Sequence, residues 1–136
     1  MTELNGYLFV YGTLLQKGNK FAGNLHENSS FYGKGKVSGR LYDIGKYPGL
    51  VLQPGDQFVY GNVYLMTDPK TTLKLLDDYE GFGEDCTQPN EFLRALTAID
   101  CNDDLLACWV YLYNLSVDKF ELITSGDYLE YLTLKG

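Results

Sequence analysis

The sequence predicts an α+β fold in which a meander or small barrel of short strands is combined with a few helices. The 12 tyrosines and 15 glycines among 136 residues favour many short strands joined by tight turns. The apolar pattern then changes after residue 66 to the three- and four-residue spacing of a helix. A chain of this length suits one domain with one core.

The stretch 7–14 is predicted to be a buried strand followed by a turn, because an apolar run in residues 7–11 ends at a glycine and a hydroxyl residue. Five consecutive apolar residues favour a strand that is covered on both faces. Gly12 permits a backbone conformation or a close approach that a side chain would forbid. The amides of Gly12, Thr13 and Leu14 leave the strand ladder, which is compatible with a backbone cradle for an anion or carbonyl, or with a tight turn after a core strand.

The chain between this strand and the helix is predicted to form a meander or a small barrel. Residues 16–30 are polar and predict a short helix or an ordered loop. Three strands follow, in residues 31–43, 50–52 and 58–66. Glycines in the first of them permit bending or close backbone contact, and Tyr47-Pro48-Gly49 and Pro54-Gly55-Asp56 are turn signals.

A helix is predicted to begin at Thr67-Asp68-Pro69, to run to residue 79 or 80 and to end at Gly81. Its apolar arc comprises Leu73, Leu75, Leu76 and Tyr79. Glu80 projects between Leu73 and Leu76, whereas the neighbouring acidic residues are expected to face water. The helix therefore ends with one carboxylate aimed along its core-facing edge.

Glu80 is the most informative side chain for chemistry. The negative end of the helix dipole and partial burial beside leucines both favour its protonated form. Such a group suits general acid/base work near neutral pH. The alternative is structural, with Glu80 paired with Arg94 or bonded to backbone amides.

The last part of the chain is predicted to contain a loop, a hairpin and a short helix. The loop covers residues 81–91, and the hairpin strands cover residues 92–99 and 105–113. After Ser125-Gly126-Asp127, apolar residues at helical spacing predict a short amphipathic helix.

Composition excludes several function classes. A net charge of −7 with 11 basic residues argues against a nucleic-acid partner. No run suggests a membrane span or signal peptide, so a cytoplasmic location is expected.

Three cysteines without Cys-x-x-Cys spacing indicate free thiols, and the lone His26 weakens any histidine-based triad. The acidic residues around the helix end match no metal-binding pattern, so no metal is expected.

Two motifs, Tyr11-Gly12-Thr13-Leu14 and Leu76-Asp77-Asp78-Tyr79-Glu80-Gly81, together resemble the γ-glutamylcyclotransferase-like (AIG2-like) family, in its compact branch that includes γ-glutamylamine cyclotransferase. The resemblance extends to further segments in the same order. These are Gly39-Arg40-Leu41-Tyr42, Tyr47-Pro48-Gly49, Val59-Tyr60-Gly61-Asn62-Val63-Tyr64, Phe92-Leu93-Arg94 and Ser125-Gly126-Asp127-Tyr128. One departure is Phe92, where the family often has tyrosine.

The resemblance implies that residues 1–136 form a single domain of this family, a small mixed β-barrel with a few flanking α-helices. It implies a pocket in which Tyr11, Gly12, Thr13 and Leu14 bind the substrate and Glu80 transfers protons. The implied reaction is attack of the α-amine of a γ-glutamyl amine or γ-glutamyl amino acid on its own γ-carbonyl, which releases 5-oxoproline and the free amine without a cofactor.

Two alternatives stay open on the sequence. The chain could be a non-catalytic binding module that holds a small metabolite in the same pocket, or a related acyl-transfer enzyme acting on another amide. The identity of the amine and the oligomeric state are not determined by the sequence.

Overall fold

The computed structural model describes residues 6–12, 23, 25, 27–80, 82–83 and 88–135. Within them the chain forms, in order, strands β1 (Tyr7–Val10), β2 (Ser29–Asp43), β3 (Pro48–Leu52) and β4 (Phe58–Met66), helix α1 (Pro69–Glu80), strands β5 (Phe92–Cys101), β6 (Asp104–Tyr113) and β7 (Glu121–Ile123), and helix α2 (Tyr128–Lys135). The predictions for Thr13, Leu14, His26, Gly81 and Cys86 lie outside the described residues.

Five of the strands close into a barrel. The ladder runs β2-β4-β1-β6-β5, and a pairing between β2 and β5 closes the ring. The pair β1–β6 is parallel, whereas the other barrel pairs are antiparallel. Strands β3 and β7 pair with the far half of β2, outside the ring. The predicted α+β fold, a mixed β-barrel with flanking helices, is confirmed.

Strand β1 is buried on both faces, as its apolar run predicts. Phe9 belongs to the core inside the barrel, together with Val63 and Ile99. Leu8 belongs to a second core between the barrel wall and α1, where it packs with Leu73. Because alternate residues of a strand point to opposite faces, one short strand serves both cores.

Helix α1 begins as predicted. The Asp68 carboxylate accepts hydrogen bonds from the Thr71 amide at 3.4 Å and the Thr71 hydroxyl at 2.8 Å, which caps the first turn. Leu73 and Leu76 are buried. The prediction that Leu75 belongs to the core is wrong, because its side chain is 41% exposed.

The reason for this error is the helical geometry. Leu75 lies about 200° around the axis from Leu73 at the 100° rotation per residue of an α-helix, so the two cannot share one narrow stripe. Thr72 takes the core position instead and is 4% exposed. Four and eight residues later, Leu76 and Glu80 continue the same stripe, which directs Glu80 inward.

Two strands begin earlier than predicted, and one strand was not predicted. Strand β2 begins at Ser29, because its first residues pair with the end of β4. Strand β3 begins at Pro48, within the predicted turn, because Pro48 and Gly49 pair with the end of β2. Strand β7 was not predicted; its three residues also take their conformation from pairing with β2.

Helix α2 begins where the sequence predicts, with the Asp127 carboxylate accepting the amide of Glu130 at 3.1 Å. The preceding Gly126 has φ +69°, and a Cβ there would meet the Phe58 carbonyl oxygen at 1.8 Å. The glycine thus lets the chain pass close against β4. Among the described residues, no helix combines the length and apolar character that a membrane crossing requires.

Candidate active site

A cavity of about 440 Å³ opens at the end of β1. Its walls come from β1, the C-terminal end of α1, the turn between β2 and β3, the start of β5, and β6. The lining residues are Leu8, Phe9, Val10, Tyr11, Gly12, Lys46, Tyr47, Pro48, Tyr79, Glu80, Glu91, Phe92 and Tyr111. The structure thus brings Tyr11, Gly12 and Glu80, which are far apart in the chain, to one cavity.

The Tyr11 side chain has structural partners. Its buried hydroxyl donates to the carbonyl oxygen of Tyr111 and accepts the amide of Leu50 at 3.3 Å. Burial, with a smaller effect of the Glu80 charge, raises the pKa of the Tyr11 phenol well above its ordinary value. Tyr11 therefore remains a neutral phenol that joins the end of β1 to β3 and β6.

Gly12 is required for a close approach. A Cβ at this position would lie 3.0 Å from Cγ of Pro48 and 3.2 Å from its Cδ. The residue does not adopt a positive φ. Because Thr13 and Leu14 lie outside the described residues, the backbone cradle stays a prediction.

Glu80 ends α1 with a half-buried carboxyl group that faces the cavity. Burial is the larger cause and the charge of Glu91 the smaller; together they raise the pKa of the Glu80 carboxyl from 4.5 to about 7. Both act as expected, because burial and a like charge disfavour the ionised form. No donor in the described part of the chain forms a hydrogen bond to this carboxylate, so it is available to a bound molecule.

The alternative pairing of Glu80 with Arg94 is wrong. Arg94 binds Asp77, one turn earlier on α1, with Nε–Oδ1 at 2.7 Å and Nη2–Oδ2 at 3.1 Å. The Tyr111 hydroxyl also donates to Asp77 Oδ1 at 2.7 Å, and the guanidinium lies 4.6 Å from the ring centroid of Trp109. The prediction that Asp77 faces water is therefore wrong. Its carboxylate instead joins α1 to β5 and β6.

The acidic residues of α1 point in three directions. Asp77 binds Arg94, Asp78 is exposed and Glu80 faces the cavity. Glu84 and Asp85 lie outside the described residues. In the ranges that the structure describes, no three His, Cys, Asp or Glu side chains form a group suited to hold a metal ion.

Sequence reasoning missed Lys46, Tyr47 and Glu91 as site residues. The Tyr47 hydroxyl donates to Glu91 Oε2, so the turn before β3 and the segment before β5 meet in the cavity wall. Tyr47 and Phe92 belong to motifs of the family resemblance, but no spacing in the sequence pointed to Glu91. Tertiary contacts with Tyr47 and with the amide of Asn114 place it at the cavity that Glu80 also lines. Phe92 is buried beside Tyr47, with ring centroids 5.8 Å apart, and contributes an apolar wall.

The chain matches the model of a family described as gamma-glutamyl cyclotransferase, AIG2-like, over residues 8–130. It is 34% identical over 126 residues to the gamma-glutamylcyclotransferase family protein YtfP of Escherichia coli K12, an alignment that covers 90% of this chain and 96% of that protein.

Two solved structures have a similar fold. The solution NMR structure of ytfP from Escherichia coli aligns with a TM-score of 0.64 and 33% identity, over 92% of this chain and 97% of that chain. The crystal structure of YkqA from Bacillus subtilis aligns with a TM-score of 0.73 and 24% identity, over 97% of this chain and 42% of that chain.

Proposed function

Because the chain belongs to the gamma-glutamyl cyclotransferase, AIG2-like family, we propose that it converts a γ-glutamyl amine or γ-glutamyl amino acid into 5-oxoproline and the free amine. The observation that carries the proposal is the half-buried Glu80 carboxyl, with a pKa near neutrality, on the wall of a cavity that also includes the end of β1. A cavity of about 440 Å³ lies in the range typical of small-molecule sites.

In this proposal Glu80 moves the protons of the reaction. Its ionised form takes a proton from the substrate's α-ammonium, and the resulting amine attacks the γ-carbonyl carbon. The bond from that carbon to the amide nitrogen then breaks, and protonated Glu80 returns its proton to the leaving nitrogen. Ionised again, Glu80 takes the second proton from the ring nitrogen and passes it to the released amine. A pKa of about 7 suits both steps, because comparable fractions of acid and base are present at neutral pH.

The proton balance closes without a cofactor. Of the three protons on the α-ammonium, one stays on the lactam nitrogen of 5-oxoproline and two finish on the released amine, which leaves as an ammonium ion. Nucleophile and electrophile belong to one molecule, so the protein mainly has to hold the folded conformer of the substrate. The amides of Gly12, Thr13 and Leu14 are proposed to bind a substrate carboxylate or the developing oxyanion, where one donor can contribute about 3 kcal/mol.

The test is to incubate γ-glutamylamines and γ-glutamyl dipeptides with the wild-type protein and with Glu80→Gln, and to measure 5-oxoproline. We expect release by the wild type and a decrease of about 10²- to 10⁴-fold in kcat for the variant. Glu130→Gln is the matched control, since Glu130 is exposed on α2, and it should retain full activity.

Equal rates for the wild type and Glu80→Gln would contradict the role of Glu80. Saturable binding without turnover of any γ-glutamyl compound would instead favour the binding module. Release of an amine from an acylated substrate without 5-oxoproline would favour a related acyl-transfer enzyme.

A further inference from the structure

The cavity holds a second carboxylate that the proposed proton transfer does not use. Glu91 directly precedes β5, is half-buried and lines the same cavity as Glu80. Two acidic side chains therefore share this wall with one basic residue, Lys46, among the described lining residues. A cavity with this balance of charge favours a cationic group on its ligand.

Glu91 is held from both its backbone and its side chain. Its carbonyl oxygen accepts the amide of Asn114 at 2.8 Å. The residue before it, Asn90, bonds the amide and carbonyl of Gly83 through its side chain, at 3.1 Å and 3.0 Å. The Tyr47 hydroxyl donates to one oxygen of the Glu91 carboxylate. The carboxylate is thus fixed at the cavity wall before any ligand arrives.

The Glu91 carboxylate can still accept hydrogen bonds from a ligand. A carboxylate has two oxygens and about four lone-pair positions, and the hydroxyl of Tyr47 uses one of them. Burial and the adjacent Glu91 raise the pKa of the Tyr47 phenol above its ordinary value, so Tyr47 stays a donor and adds no charge. An ammonium group, with three donors, is the complementary ligand for the remaining positions.

We propose that Glu91 binds the α-ammonium group of the substrate in the cavity that Glu80 also lines. The inference rests on the proposed function, in which the substrate binds with its α-amine protonated. Glu91 is then the residue that holds the cation, while Glu80 exchanges the proton.

The charge of Glu91 also affects Glu80 directly. The titratable and charged lining residues that share the cavity with Glu80 are Tyr11 after β1, Lys46 and Tyr47 before β3, Tyr79 on α1, Glu91 before β5, and Tyr111 on β6. Burial raises the pKa of the Tyr11 and Tyr111 phenols, so both stay neutral. Of these residues, Glu91 is the one whose charge raises the pKa of Glu80.

Binding measured by calorimetry separates the two carboxylates. The ligands are γ-glutamylmethylamide, which has a free α-amine, and its N-acetylated form, which carries no ammonium. Glu80→Gln serves as the parent protein to prevent turnover, and it is compared with Glu80→Gln/Glu91→Gln. We expect the second change to weaken binding of the free amine about tenfold or more and binding of the N-acetylated ligand less than twofold.

Tyr47→Phe in the same parent protein is the matched control for a purely structural role. It removes the hydrogen bond that positions Glu91 but keeps the carboxylate, so the preference for the free amine should fall less than in Glu80→Gln/Glu91→Gln. Equal affinity of the two proteins for the free amine, including no measurable binding to either, would overturn the proposal. So would an equal loss for both ligands.

A kinetic readout links Glu91 to Glu80 in the active enzyme. We expect Glu91→Gln to raise KM and to move the acidic limb of the pH profile of kcat/KM to lower pH, because the like charge beside Glu80 is removed from the free enzyme. An unmoved limb together with an unchanged KM would contradict the inference. If the wild type releases no 5-oxoproline, the proposed function fails, whereas the calorimetric comparison still decides the role of Glu91.

Discussion

Glu80 shows how one position in a helix can determine the chemistry of a residue. It lies on the stripe of α1 that also carries Thr72 and Leu76, and the same burial that completes the helix packing removes its carboxyl from water. Burial raises the pKa of this group because the charged form loses hydration. A group that is costly to ionise in the folded protein is also one that can hold or release a proton at neutral pH.

This cost predicts how stability depends on pH. The pKa of Glu80 rises on folding from 4.5 to about 7, so the folded state binds the proton more tightly than the unfolded state. The favourable contribution of this group is fully present below pH 4.5 and is lost as the pH rises to about 7. Glu80→Gln removes that loss.

We therefore expect the free energy of unfolding of Glu80→Gln, taken relative to that of the wild type, to be higher at pH 8 than at pH 4 by up to about 3 kcal/mol. Urea unfolding of both proteins at the two pH values measures the change, and other titrating groups cancel in the difference. Glu130→Gln should show no such gain. A stability difference that is the same at both pH values would mean that the Glu80 carboxyl titrates normally.

At the scale of elements, the cavity depends on how α1 is fixed to the barrel. Asp77 binds Arg94 on β5 and Tyr111 on β6, and it precedes Glu80 by less than one helical turn. The hydroxyl of Tyr11 joins the end of β1 to the backbones of β3 and β6. These contacts orient the segments that carry the site residues.

Asp77→Asn tests this attachment. The substitution removes the charge that Arg94 needs while keeping the shape of the side chain. We expect a loss of about 1 to 3 kcal/mol in the free energy of unfolding, because a half-buried guanidinium loses its partner. Asp78→Asn is the control on the same helix, where an exposed residue should change stability by less than about 0.5 kcal/mol. Similar losses in both variants would show that the Asp77 pair does not anchor α1.

At the scale of the whole molecule, the barrel closes through a short pairing between β2 and β5. Strand β2 pairs with β4 along most of its length and with β5 at Gly35 and Lys36. A Cβ at Gly35 would meet Cγ2 of Ile99 at 2.8 Å and Cγ2 of Val63 at 3.2 Å. The absence of a side chain at the closing seam allows the interior to pack against the backbone.

Gly35→Ala should therefore destabilise the barrel by about 1 to 3 kcal/mol, since an added methyl group must displace packed core side chains. Denaturant unfolding followed by the fluorescence of Trp109 measures the effect. Lys34→Ala, one residue earlier on an exposed position, is the control and should stay within about 0.5 kcal/mol of the wild type. An unchanged Gly35→Ala would show that the seam tolerates a side chain.

Much of this architecture could be predicted from local sequence signals. The apolar run of β1, the cap of α1 at Asp68 and the start of α2 at Asp127 each depend on neighbours in the chain, and all three are confirmed. The inward direction of Glu80 also follows from helical periodicity. Errors arose where conformation depends on a distant partner, as at the start of β3 and in β7.

The sequence by itself determined the fold class and singled out Tyr11, Gly12 and Glu80, because burial patterns, caps and turns are local properties of the chain. Only the tertiary structure decided which acidic residue pairs with Arg94, and that Glu91 and Tyr47 share the cavity with Glu80. The physical reason is that tertiary contacts, among them the β5–β6 pairing and the hydrogen bond from Tyr47, place the segment before β5 at the same cavity as the end of α1. Charge interactions depend on distances in space, and the tertiary packing sets those distances.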